Sequence, residues 1–305
     1  MNDEQSIFRN ARALCLFVFL ALGAVAGGAA QDKPVVFVSI PPQAWLVKRL
    51  AGEAVEVQTL LPAGADPHTY EPTSRQIRKL AGASLYLTVG MPFEAPLASR
   101  AAKLSASLKV AAMDAGIAKR EASEHDHDPA GHACGEGGDP HIWLSPRLLC
   151  AMASNTVAAL DRALPQGPAS RKADLERTVA EIRGTDEAVR EKLRNLKMRT
   201  WVVYHPSWRY FAEEYGLTLL AVEEDGKAPS AKHLADLISK TQSAGVKLVF
   251  TEPQYDKRSA LTLSQQVGAR LDVIDPLQED WPALMREVAK KLAACQPPPA
   301  AGDRR

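Results

Sequence analysis

The histidines of this 305-residue chain fall into groups whose positions suggest different chemistry. His125, His127 and His132 share a short acidic, glycine-rich stretch with Cys134, and His233 lies in a helical stretch. His68, His141 and His205 stand apart, each at or just beyond the expected carboxyl end of a strand, and Asp275 closes the run Val273-Ile274-Asp275-Pro276 in the same way. In an open parallel sheet that edge is where ligands bind. If two sheets faced each other there, three imidazoles and a carboxylate would share one crevice. That donor set suits a borderline-soft divalent ion, since Zn²⁺ takes imidazole nitrogen near ~2.0 Å and carboxylate oxygen near ~2.1 Å. A lone histidine at a strand end is more often a hydrogen-bonded structural residue, so the constellation carries the argument. Proline stands beside each of the three, in Asp66-Pro67-His68, Asp139-Pro140-His141 and His205-Pro206, which suggests constrained loops that present a side chain.

Such a crevice requires two α/β lobes, and the apolar pattern supplies them. Strand-like runs cover Val35 to Ile40, Val55 to Leu61, Ser84 to Val89 and Leu108 to Ala112, then Trp201 to Tyr204, Leu217 to Val222, Lys247 to Phe250 and Leu271 to Ile274. Helical stretches lie between them: one opened by Pro41-Pro42 and stopped at Gly52, then Thr73 to Leu80, Arg209 to Tyr215, Lys232 to Ala244, Ser259 to Val267 and a last one over Trp281 to Ala294. Strands alternating with helices imply parallel sheets covered on both faces, four strands in each lobe. Between the lobes, Leu175, Val179, Ile182, Val189, Leu193 and Leu196 recur at helical spacing and predict one long linking helix over 169–197, interrupted in composition only by Gly184. The predicted organisation is a signal peptide over 1–30, an N-terminal lobe over 31–168 with a His-rich loop over 121–139, the linking helix, a C-terminal lobe over 198–296 and a disordered tail over 297–305.

Composition narrows the partners. Lysine and arginine number 37 against 36 acidic residues, so no net field argues for nucleic acid, and a monomer is expected. Arg9 and Arg12 precede an apolar run from Ala13 to Val25, with Gly28, Ala29 and Ala30 before Gln31, which reads as a cleaved export signal. The run is shorter than the ~20 residues that span a bilayer. After cleavage Cys134, Cys150 and Cys295 remain, an odd number in an oxidising compartment, so at least one should be free or a ligand.

The runs Asp66-Pro67-His68-Thr69-Tyr70-Glu71-Pro72, Asp139-Pro140-His141-Ile142-Trp143-Leu144-Ser145-Pro146, Tyr204-His205-Pro206-Ser207-Trp208, Thr251-Glu252-Pro253-Gln254 and Asp275-Pro276-Leu277 together resemble the successive motifs of zinc and manganese solute-binding proteins of ABC importers, the ZnuA and TroA type. The resemblance runs through nearly the whole mature chain. It implies two α/β lobes joined by one backbone helix, metal held between them, a periplasmic location and a permease in the inner membrane as partner. By motif position His68, His141 and His205 would be ligands, with either Asp275 or water as the fourth. Histidine at the third position resembles the zinc members, where manganese members carry a harder glutamate, so Zn²⁺ is the expected cargo and manganese the alternative. The loop with His125, His127, His132 and Cys134 resembles the His-rich insertion of zinc members. It is either an auxiliary zinc collector or a solvated loop, and Cys134 could join it or pair with Cys150.

Glu252 is a candidate for orienting a histidine through its free ring nitrogen, or equally for capping the turn after its strand. His233 reads as a helix-surface residue, and Trp45, Trp143 and Trp208 as packing. A zinc hydrolase would share three histidines and a water, but the chain has no H-E-x-x-H, no G-x-S-x-G and no Cys-His nucleophile pair, so a binding protein rather than an enzyme is expected. An adhesin or metal reservoir would share the site without an importer.

Overall fold

In the computed structural model, residues 33–121, 138–164, 171–224 and 226–295 are described. The segments expected as signal peptide (1–30) and tail (297–305), and His125, His127, His132 and Cys134, lie outside the described residues.

The eight runs rich in β-branched and aliphatic residues form eight short strands in two parallel sheets. β1 (Val35–Val38), β2 (Glu56–Thr59), β3 (Leu85–Thr88) and β4 (Lys109–Ala112) form the first, in the order β2-β1-β3-β4. β5 (Thr200–Val203), β6 (Thr218–Ala221), β7 (Leu248–Thr251) and β8 (Arg270–Val273) repeat that order as β6-β5-β7-β8. The central strands are buried on both faces, as parallel sheets require: Val36, Phe37 and Val38 of β1 and all of β7 are inaccessible or nearly so. In each sheet the chain goes first to one side of the central strand and then to the other. A crevice therefore opens at the carboxyl edge, and all the loops that carry the singled-out residues leave from that edge.

Helices α1 (Pro41–Ala51), α2 (Ser74–Ala81), α3 (Glu94–Leu104) and α4 (Pro146–Ala163) accompany the first sheet. α1 starts where two prolines need no donor, and Gln43 Oε1 reaches back to accept from Ser39 N–H (2.9 Å) and Ile40 N–H (3.0 Å). It ends at Gly52, whose φ of 52° a side chain would strain. Neither α3 nor α4 figured in the sequence reading. α4 has clear local causes: Ser145 Oγ accepts from Leu148 N–H at its start, Pro146 fills the first turn, and Leu148, Leu149, Met152, Ala153, Ala159 and Leu160 bury one face.

The linking helix is α5 (Arg171–Leu193), 23 residues and so about 34 Å long. Its buried face comprises Arg171, Thr178, Ile182, Thr185, Val189 and Leu193, continued by Leu196, while Val179 is only half-buried. The two threonines fit because their hydroxyls are satisfied: Thr178 Oγ1 donates to Asp174 O (2.7 Å), and Thr185 Oγ1 accepts from Arg286 (3.1 Å). The second sheet carries α6 (Arg209–Glu214), α7 (Ala231–Ser243), α8 (Arg258–Val267) and α9 (Trp281–Ala294).

The two sheets do not have separate cores. α5 packs against α1 and α4 on one side and α9 on the other, so one continuous apolar cluster runs from Val36 of β1 to Leu292 of α9. Trp281 at the head of α9 sits 5.8 Å from Trp45 of α1, ring to ring, and donates its indole N–H to Trp143 O (2.8 Å). Trp143 in turn donates to Pro276 O (2.8 Å), in the loop after β8. A smaller cluster around Val202, Val249 and Leu263 fills the other face of the second sheet.

Gly184 lies exposed in mid-α5, and a Cβ built there meets nothing within 4 Å. Gly184→Ala should therefore stabilise the fold by about 0.5 to 1 kcal/mol, chiefly by restricting the unfolded chain. Chemical denaturation would show a higher midpoint at an unchanged slope; a lower midpoint would contradict the packing described for α5.

Candidate metal centre

Three Asp-Pro-Xaa turns share one local geometry. Asp66 Oδ1 accepts from His68 N–H (3.0 Å), Asp139 Oδ1 from His141 N–H (3.0 Å) and Asp275 Oδ1 from Leu277 N–H (3.0 Å). Proline between them has no donor and a nearly fixed φ, so the carboxylate closes on the next amide and aims the third residue. The first two turns follow β2 and, after the His-rich stretch, β4. His205 reaches the same crevice differently. It follows β5 in extended conformation (φ −96°, ψ 136°) just before the single 3₁₀ turn Pro206–Trp208.

The three rings converge. Their centroids lie 5.3 Å (His68–His141), 4.8 Å (His68–His205) and 5.2 Å (His141–His205) apart, and one ligand atom from each lies within 4.8 Å of the other two. His68 Nε2 and His141 Nε2 are 3.3 Å apart. That is about the edge of a tetrahedron with ~2.0 Å bonds, the usual Zn–N distance. His205 Nε2 is buried and has no hydrogen-bond partner among the described residues. A buried acceptor or donor left so is expensive unless something else satisfies it, and an ion at the centre of the three rings would.

Carboxylates orient two of the rings from behind. Asp139 Oδ1 lies 2.7 Å from His141 Nδ1, and Glu223, just past β6, holds His205 Nδ1 with both oxygens at 2.9 and 3.1 Å. Each arrangement places the proton on Nδ1 and leaves Nε2 to coordinate. The charges differ among the three. Burial, then repulsion from His205 and His141, holds His68 well below the ordinary histidine pKa. Burial also lowers His141, against the opposing pull of Asp139. At His205 burial acts in the same direction, but the Glu223 carboxylate, with smaller help from Glu252 and Asp66, outweighs it and raises the pKa. His205 is thus the ring that keeps a proton longest as pH rises.

Asp275, the candidate fourth ligand, is not in the cluster. Its Oδ1 is engaged by Leu277 N–H and by Gln254 Nε2 (2.9 Å), so it closes its own turn and ties that turn to the loop after β7. Glu252 is fully buried, which pushes its pKa up to about 8, and its Oε2 accepts from the His205 backbone N–H (3.4 Å), not from a ring nitrogen. Asp139 and Glu223, which do hold the rings, were not assigned that role from sequence. Asp139 was visible as the first residue of Asp-Pro-His; Glu223 had only its place after a strand. Trp45, Trp143 and Trp208 are buried, as expected, and Trp143 packs 5.3 Å from the His141 ring. His233 stays at the start of α7, its N–H capped by Ser230 Oγ (3.1 Å). Cys150 and Cys295 are free and half-buried.

Comparison with known proteins agrees with this geometry. The family model described as the periplasmic component A of the zinc-uptake complex, ZnuA, matches residues 36–295. The zinc-binding lipoprotein AdcA of Streptococcus pneumoniae is 26% identical over 259 residues, covering 82% of this chain and 51% of its own length. The chain thus spans about half the length of that relative. The high-affinity zinc uptake system protein ZnuA of Bacillus subtilis is 26% identical over 81% of this chain and 79% of its own length. A crystal structure of ZnuA superposes with a TM-score of 0.80 at 32% identity, over 87% of this chain and 99% of that one. With the match spanning both sheets and all the loops that converge on the three histidines, the chain belongs to the ZnuA family of periplasmic zinc-uptake components.

Proposed function

We propose that the protein is an exported receptor that captures Zn²⁺ with His68, His141 and His205 and delivers it to the permease of an ABC importer in the inner membrane, acting as a periplasmic monomer. The observation that carries this reading is the convergence of three imidazole donors in one crevice, one of them with a buried Nε2 that has no partner among the described residues. Three nitrogens favour zinc over manganese, which prefers carboxylate and water oxygen. The reading involves no catalytic step. Asp139 and Glu223 are occupied by ring nitrogens, which leaves them poorly placed to serve as a base for a metal-bound water. Water rather than Asp275 would complete the shell. The balanced charge of the chain supports a protein or ion partner over nucleic acid. Calorimetric titration with zinc, in competition with manganese, tests the proposal: one tight zinc equivalent is expected, and a preference for manganese would overturn it.

The electrostatics of the rings predict how affinity depends on pH. Protons compete with the ion for imidazole nitrogen, so affinity is full where the rings are neutral and is lost as pH falls through their pKa values. His205, raised above the ordinary value, protonates first, and His68 and His141, both lowered, only at more acidic pH. Zinc affinity should start to fall above the reference of about 6.5 with a slope near one proton, then steepen. A flat profile between about pH 7.5 and about 5.5 would rule out three histidine ligands.

Replacing His205 by glutamate exchanges a borderline nitrogen for a hard oxygen. His205→Glu should weaken zinc more than manganese and so narrow the ratio of the two affinities, without necessarily inverting it, because manganese stands lowest in the divalent order. His233→Glu, on α7 and outside the cluster, serves as the control. An unchanged ratio would remove His205 from the ligand set.

His125, His127, His132 and Cys134 are proposed as a weak auxiliary zinc collector. Deleting residues 122–137 should abolish any weak extra zinc equivalents and keep the tight one, because none of the three converging histidines lies there. Calorimetry on the shortened chain measures both, and loss of the tight site would place loop residues among its ligands.

A further inference from the structure

One side chain outside the proposed ligand set touches the machinery of two ligands from opposite sides of the crevice. Tyr255 lies in the loop between β7 and α8, where its N–H donates to Glu252 O (3.3 Å). Its ring stacks on Tyr204 (5.3 Å, 25°) and lies 5.1 Å from the His205 ring at 32°. Its hydroxyl crosses to the first sheet and donates to Asp66 Oδ1 (3.2 Å), the same oxygen that accepts from His68 N–H and fixes the His68 turn. Asp66 Oδ2 meanwhile accepts from Thr69 Oγ1 (3.0 Å), so both carboxylate oxygens serve that turn.

We infer that Tyr255 is a positioning residue that ties the His68 turn to His205 and thereby slows release of the bound ion. This rests on the reading of the three histidines as zinc ligands. The physical reason is the unequal support of the rings. His141 and His205 each have a carboxylate behind Nδ1, whereas among the described residues the His68 ring has none and depends on the placement of its turn. The tryptophan contacts also join the two sheets, but they reach the second sheet through Pro276 O and the Trp281 ring, and not through the Asp66 turn. The Tyr255 hydroxyl is the bond that links the turn of one ligand to an aromatic ring packed on another. Its acceptor is a carboxylate, which makes it stronger than a neutral hydrogen bond.

The test is Tyr255→Phe in the full chain, which keeps the ring and its stacking and removes the hydroxyl alone. Zinc release into excess chelator, followed by stopped flow, should become about tenfold faster, the effect of losing one hydrogen bond to a charged group. The visible spectrum of the Co²⁺-loaded protein should shift, since the bond acts on ligand placement. In an Asp66→Ala background the acceptor is gone, and adding Tyr255→Phe should leave the release rate unchanged. Wild-type release and an unshifted Co²⁺ spectrum in Tyr255→Phe would overturn the inference, including the case in which only the melting temperature falls. So would a tenfold effect that persists in the Asp66→Ala background. If the wild-type chain itself binds no zinc by calorimetry, the proposed function fails and the tether with it, whereas tight wild-type binding with unaltered release sinks the tether alone.

Discussion

The hydrogen bond between a buried carboxylate and the Nδ1 of a histidine is the interaction on which the candidate metal centre depends. It does three things at once: it selects the tautomer, it stops ring rotation, and it leaves Nε2 facing the crevice. Asp139 does this for His141 and Glu223 for His205, from different lobes and from different kinds of loop. Each carboxylate must itself be held. Asp139 is held by the turn it closes, and Glu223 by a backbone bond that continues the ladder of its sheet, Glu223 N–H to Tyr204 O (2.9 Å). The two supports thus belong to the secondary structure and do not rely on long mobile side chains.

Placing donors from two sheets within 4.8 Å of one another also needs a frame that does not drift. That frame is the shared core along α5 and α9, with Trp143 and Trp281 donating across it. Their indole N–H groups bond to backbone oxygens, so rings that bury a large apolar area also fix a relative position. A core of this kind restricts the lobes to small displacements. The loops at the crevice are tied into the same packing, since Trp143, Trp208 and Leu277, each within three residues of His141, His205 or Asp275, belong to the shared cluster.

How much of this could be read from the sequence follows from which forces are local. The central strands were legible because they are apolar and buried on both faces, the edge strands from short runs flanked by turn residues, and α9 was legible to its ends. The α5 stripe was read from its aliphatic residues alone, which picked Val179 and passed over Thr178 and Thr185, although these are more deeply buried. A threonine can hide on a helix by bonding to the preceding turn or to a neighbour such as Arg286, and an apolar pattern does not show it. The three Asp-Pro-Xaa turns were visible as strings, and they do adopt the same turn. What differs is the third residue and what surrounds it. Asp139 precedes a histidine that folds back onto it, while Asp275 precedes Leu277 and finds Gln254 instead. Strand-end and motif position made Asp275 a candidate ligand; in the structure its Oδ1 accepts from Leu277 N–H and Gln254 Nε2. Glu223 had no motif, and its role follows only from the parallel pairing of β5 with β6, which brings residues 203 and 221 side by side and so sets their following loops together.

The same geometry answers why acids should stand behind the rings and not among the donors. Three neutral imidazoles bring no charge, so an ion bound by them would keep its full double charge in a site where His141 and His205 are buried. A bare charge there is costly. Asp139 and Glu223, one ring away, supply two negative charges, which balance the ion without contributing an oxygen ligand that would favour harder metals. When no ion is bound, the Glu223 carboxylate that raises the His205 pKa favours a proton on that ring. Capture of the ion would then displace that proton, and the Glu223 carboxylate that favoured the proton would favour the ion in turn.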